Sequence, residues 1–194
     1  MTEADGVTDH TPSEELGHAH LAKIFEAMEA LKAAGNNGAS WFFWIAGLSL
    51  VNTVIAHAGG ESHFIVGLAI TAIVDAIASG IGKQNPEAAT PLMMVAIGFS
   101  VFVAVICLIF GWLSRKRLLW IFGIGMFLYL LDGLLYLLIG DYLSAAFHGY
   151  ALYSMITGFN AFRQLNKLES ALVNATNEDA AVADDARDVG FETT

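Results

Sequence analysis

The 194-residue chain carries its apolar residues in blocks of about 18 to 23, at 41–58, 63–82, 91–113 and 118–140, with a further run over 142–165. At 1.5 Å rise per residue, a helix of that length crosses roughly 30 Å of hydrocarbon. The bilayer core offers no water to backbone N–H and C=O groups, so only helices and closed barrels span it. Long apolar runs without strict alternation read as helices. The composition agrees, with 56% hydrophobic and 14% charged residues, where soluble domains carry about a quarter charged. The expected fold class is all-α: an integral membrane helical bundle of five membrane-embedded helices, with an N-terminal amphipathic helix outside the hydrocarbon core.

The formal net charge of −10 is unevenly placed. Residues 1–40 hold seven acids and two lysines, 164–194 hold seven acids and two basic groups, and 41–163 balance five against five. Acidic tails repel nucleic acid and anionic surfaces, so the lipid bilayer is an expected partner and nucleic acid is not. The lone Cys107 lies in an apolar block, which excludes an intrachain disulfide. The first 40 residues show no basic stretch leading into an apolar one, so no cleavable signal is expected, and the first span acts as an uncleaved anchor.

Residues 1–12 are polar and expected to be disordered. Over 13–34 the residues Leu21, Ile24, Phe25, Met28 and Leu31 share one face, with Glu26, Glu29 and Lys32 opposite. Ser13 caps this amphipathic helix, and Gly35-Asn36-Asn37-Gly38 is expected to stop it. A membrane-surface helix has a Lys/Arg-rich polar face. This one is acidic and is expected to pack on protein: the chain's own core, a second copy, or another membrane protein.

The first span, 41–58, brings Trp41 and Trp44 to an interface. Gly59-Gly60-Glu61-Ser62 turns into 63–82, Asn85-Pro86 marks the next turn, and Thr90-Pro91 opens the span 91–113. Spans 118–140 and 142–165 follow, and 166–194 reads as an acidic disordered tail. Ser114-Arg115-Lys116-Arg117 is the chain's basic cluster and places its loop in the cytoplasm, so the last two spans return the C-terminal segment there. If 63–82 crosses, there are five spans and the N-terminal segment lies outside. If it is re-entrant, there are four crossings and that segment lies inside. The five-span arrangement is the expectation carried forward.

Two aspartates interrupt apolar blocks: Asp75 in HFIVGLAITAIVDAIASGIG and Asp132 in LLWIFGIGMFLYLLDGLLYLLIG. A charge at the bilayer centre costs roughly 2.5–3.5 kcal/mol on the mildest insertion scale, so such a group faces the bundle interior and has a partner or a task. Asp75 belongs to a stripe repeating every four residues (His63, Gly67, Thr71, Asp75, Ser79), beside a small-residue row of Ala72, Ala76 and Gly80 suited to close helix packing.

With five spans, Asp75, Ser100, Asp132 and His148 fall at similar depth and form a candidate intramembrane polar layer, with Thr71, Tyr129 and Tyr136 supporting it. Asp75, Asp132 and His148 are candidate ligands for a metal ion, members of a proton relay, or a carboxylate pair sharing a proton. A plainer expectation for Asp132 is escort by the hydroxyls of Tyr129 and Tyr136, at i−3 and i+4. Asp141, after Gly140 and ahead of a helix, is placed as an N-cap. The chain has no His-Glu-x-x-His, Gly-x-Ser-x-Gly, phosphate-loop or Cys-x-x-Cys motif.

The run from Trp41 to Asn52, the segment Gly67–Asp75, and the stretch from Asp132 through Asp141 to Phe147-His148 resemble small multi-pass bacterial membrane proteins of unknown function. The resemblance covers 41–165 and implies a bacterial inner membrane, without assigning an activity or a site. Three functions are compatible with the sequence: a non-catalytic accessory or interaction subunit, translocation or small-ligand binding through the polar layer, and a metal-dependent intramembrane hydrolase. The first is preferred, because catalytic motifs are missing and the small-residue row speaks for packing. No cofactor is assigned, and a metal ion enters only with the third.

Overall fold

The computed structural model describes residues 12–57 and 67–191, and every regular element among them is an α-helix. The order is α1 (Pro12–His57), α2 (Ala69–Gln84), α3 (Pro86–Arg115), α4 (Leu119–Leu138) and α5 (Tyr142–Phe191). Three helices are long and apolar enough to cross a membrane: α1 over Ala19–Ile55, α3 and α4. At 16 residues, α2 is about 24 Å long and falls short. The 50-residue α5 has the length but not the hydropathy. The start of the second apolar block at His63 and the polar residues 1–11 lie outside the described residues.

Large apolar side chains point outward from the spans, among them Val95, Phe102, Ile109, Phe127 and Leu138. Soluble monomers do not expose so continuous an apolar surface, whereas lipid covers it at no cost. Trp112 and Trp120 are exposed near the Lys116–Leu118 turn, and Tyr142 is exposed at the other end, beside Gly140 and Asp141. Aromatic residues at both ends suit the two membrane–water interfaces.

Gly35-Asn36-Asn37-Gly38 does not stop a helix: α1 runs through it without a break, 46 residues in all. The two glycines serve a crossing. A Cβ on Gly38 would lie 2.6 Å from Gly158 Cα, and one on Gly35 would run into the Phe162 ring. Only residues without a side chain let α1 and α5 approach this closely, as in small-xxx-small contacts. Half-buried Met28 and Leu31 pack against the core that includes Phe162 and Leu165 of α5, so the amphipathic face expected over 13–34 packs in part on the chain's own core. Residues 166–191, expected to be disordered, continue α5 as helix, with the described side chains beyond Leu172 exposed.

Contacts give the direction of each helix. Gly35 meets Phe162 and Gly38 meets Gly158, so α1 and α5 are antiparallel. Gly111 lies against Phe42 and Phe43, and Arg115 Nη2 donates to Ser40 Oγ at 2.7 Å, which makes α3 antiparallel to α1. Ser49 bonds Thr71 at 3.0 Å and Thr53 bonds Asp75 at 3.2 Å. Equal steps of four on both helices mean that α1 and α2 run the same way. Ser49 lies nine residues past Ser40, so α2 begins roughly 13 Å into the bundle from the Arg115 end.

The apolar core fills the half nearer that end. Phe42, Phe122, Met155, Phe162 and Leu165 are all but fully buried, and Phe122 meets Phe42, Phe159 and Phe162 edge-on at 5.7, 5.8 and 6.4 Å. Truncating such a core phenylalanine costs about 3–5 kcal/mol. Arg117 takes a left-handed φ of 62° in the turn before α4 and places its Nη1 at 2.7 Å from both oxygens of Glu169. The buried polar residues Ser49, Thr71, Asp75, Asp132 and His148 gather in the other half, around the start of α2.

Candidate functional site: a carboxylate–histidine pair at the buried start of a helix

The first N–H groups of a helix have no intrahelical acceptor, and in a dry interior they need one. At α2 the N-cap residue is Leu68, whose side chain offers no acceptor. Asp132 supplies it from α4: the Ala69 N–H donates to Oδ2 at 2.8 Å and the Ile70 N–H donates to Oδ1 at 3.0 Å. The positive end of the α2 dipole also favours negative charge at that position. Tyr136 Oη donates to the Gly67 carbonyl at 3.2 Å, holding the residue that leads into the helix.

His148 completes the arrangement from α5. Its Nδ1 lies 2.9 Å from the Ser144 carbonyl, which can only accept, so Nδ1 carries a proton. Its Nε2 lies 3.1 Å from Asp132 Oδ2, and one further proton occupies that contact. The pair is therefore neutral as a unit, either imidazolium with carboxylate or imidazole with carboxylic acid. The ring stacks on Tyr129 at 4.5 Å and 18°, with Tyr136 tilted against it at 5.1 Å. Gly133 makes the approach feasible, since a Cβ there would lie 2.9 Å from His148 Cβ. Asp132 is 7% exposed and His148 2%.

The structure brings together part of the polar layer that the sequence suggests. Asp132, His148, Tyr129 and Tyr136 form one cluster. The tyrosines do not escort Asp132 through their hydroxyls, however: Tyr129 offers its ring to His148, and Tyr136 bonds Gly67. Asp75 stands apart, six residues along α2 from Ala69 and thus about 9 Å away, where its Oδ2 accepts from Thr53. Thr71, the neighbouring stripe residue, bonds Ser49 and the Leu68 carbonyl. Ser100 is fully buried on α3, and its hydroxyl has no hydrogen-bond partner among the described residues. The stripe stays buried through Gly67, Thr71 and Asp75, while Ser79, Ala76 and Gly80 are exposed.

Among the described residues no three His, Cys, Asp or Glu side chains are grouped so as to hold a metal ion. Both Asp132 oxygens face N–H donors, an environment for an anion. At the α4–α5 turn, Asp141 caps α5 by accepting from the Ser144 N–H at 3.1 Å and the Ser144 hydroxyl at 2.6 Å. Those bonds hold its carboxyl below the usual carboxylate range. The role of Asp132 as a cap for α2 had no local sequence signal, because donor and acceptor are 62 and 63 residues apart. Compared with protein-family models, curated proteins and solved structures, the chain matches none.

Proposed function

We propose that the protein is a non-catalytic accessory subunit of a membrane: a helical bundle in which α1, α3 and α4 cross, α5 crosses packed antiparallel on α1 despite its lower hydropathy, and α2 is inserted to half depth. The observation that carries this reading is the use of Asp132. Its carboxyl group is engaged by the two leading N–H groups of α2 and by His148, so this buried acid serves the architecture. Translocation has less support, because Asp75 bonds Thr53 on α1, whereas Asp132 bonds the start of α2 and His148 on α5. Hydrolysis has less support too, since among the described residues no third His, Cys, Asp or Glu is grouped with the pair.

The parallel course of α1 and α2 favours four crossings over five. With Arg115, Lys116 and Arg117 in the cytoplasm, α1 begins and α5 ends on that side. There they extend past the bundle and present Leu21, Phe25, Val173 and Val182 to a membrane-protein partner or a second copy. A topology reporter joined ahead of Pro12 is expected to read cytoplasmic, and one inserted at Asn85 to read external. An external reading ahead of Pro12 would overturn the four-crossing arrangement. For the accessory role, Asp132→Asn is expected to weaken assembly while proton flux into liposomes and metal content stay as in the parent chain. A flux or metal content that falls with Asp132 would sink it.

A further inference from the structure

A cavity of about 130 Å³ lies among α1, the start of α2, α3 and α4, with Asp132 in its lining. Its walls are apolar side chains, with Asp132, Tyr129 and Cys107 as the polar exceptions. Two residues at its margin, Ile70 and Leu128, are 39% and 49% exposed on the outer face of the bundle, so the cavity opens sideways toward lipid. A cavity of this size holds a single aromatic ring.

Two features at its inner end select the ligand. A carboxylate accepts about four hydrogen bonds, and among the described residues Asp132 makes three: from the Ala69 N–H on Oδ2, from the Ile70 N–H on Oδ1, and one shared with His148 on Oδ2. Oδ1 can accept one more. The charge there is already balanced, since the carboxylate and histidine share their proton as a neutral unit and the α2 dipole adds positive potential. A cationic ligand would leave uncompensated charge in hydrocarbon, and an anion would face the carboxylate.

We propose that this cavity binds a neutral, ring-sized amphiphile carrying one hydrogen-bond donor, of the phenol class, which enters from the bilayer and donates to Asp132 Oδ1. The site does not depend on the accessory role argued above, because a scaffold and a transducer would hold it equally well.

The test uses the full chain in lipid nanodiscs and the rate at which a small thiol reagent alkylates Cys107, the single cysteine, which lines the cavity. Concentrations are corrected for partition into the bilayer. 4-Fluorophenol is expected to protect Cys107 saturably, with 4-fluoroanisole, which lacks the donor, about tenfold weaker, the size of one hydrogen bond. Leu128→Trp, a change at an exposed position on the margin, is expected to abolish protection, and ¹⁹F NMR of the bound phenol checks it independently. Equal protection by the two probes, stronger protection by 4-fluorobenzylammonium, or phenol binding unchanged in Leu128→Trp would each overturn the proposal.

Discussion

Gly38 on α1 and Gly158 on α5 touch backbone to backbone: a Cβ on either would fall 2.6 Å from the other's Cα. The two longest helices of the bundle cross at this point, and no flexible side chain can yield there. Gly158→Ala is expected to force the helices apart and destabilise the bundle by about 1–3 kcal/mol, the range for overpacking. Gly47→Ala, on the same α1 but with nothing within 4 Å of its added Cβ, is the control. It is expected to be neutral, or to stabilise by up to about 1 kcal/mol through helix propensity. Unfolding of both variants in mixed micelles separates these outcomes, and equal effects would deny the crossing its role.

Removing the Asp132 carboxylate strands two buried N–H groups of α2 and the histidine together. Asp132→Ala is expected to cost about 3–5 kcal/mol, as when one partner of a buried pair is lost. His148→Ala should cost less, because the N–H groups of Ala69 and Ile70 keep their acceptor. The double variant is expected to fall short of the sum of the two, since both single changes break the same contact. Additive losses in a double-mutant cycle would mean that Asp132 and His148 act separately.

Acid acts at the α4–α5 turn, where Asp141 caps the start of α5. Asp141 is held below the ordinary carboxylate range by the Ser144 hydroxyl and N–H. A carboxyl lowered on folding adds stability that is present above its unfolded value, about pH 4, and disappears as pH falls through the lowered value. The parent chain should therefore lose stability on going from about pH 5 to about pH 2, and Asp141→Asn should lose less over the same window. At neutral pH, Asp141→Ala should cost about 1 kcal/mol, the usual cost of a lost N-cap. Thermal melts of the three proteins across that range give the answer, and parallel pH profiles for parent and Asn variant would contradict the capping role.

The helices were legible where a single block carried the signal, as over 91–113 and 118–140, because apolar length is a local property. Signals that depend on a distant partner were not. Gly35-Asn36-Asn37-Gly38 has the composition of a helix stop, and what turns it into a crossing is Gly158, 120 residues away from Gly38 in the chain. Asp132 and His148 could be picked out as polar groups in apolar surroundings, and they do meet. Their common task could not be read, since it is set by where α2 begins. Tyr129 and Tyr136 had the spacing to reach Asp132, but spacing does not say whether a tyrosine brings its hydroxyl or its ring.

The start of α2 has a consequence in time. A ribosome releases Ala69 and Ile70 long before Asp132, and Asp132 before His148. Until α4 is in place, the start of α2 lacks the Asp132 acceptor that it has in the folded bundle. Ala69 and Ile70 therefore gain their acceptor only after the chain behind α2 has been made, and this early helix is among the last to settle.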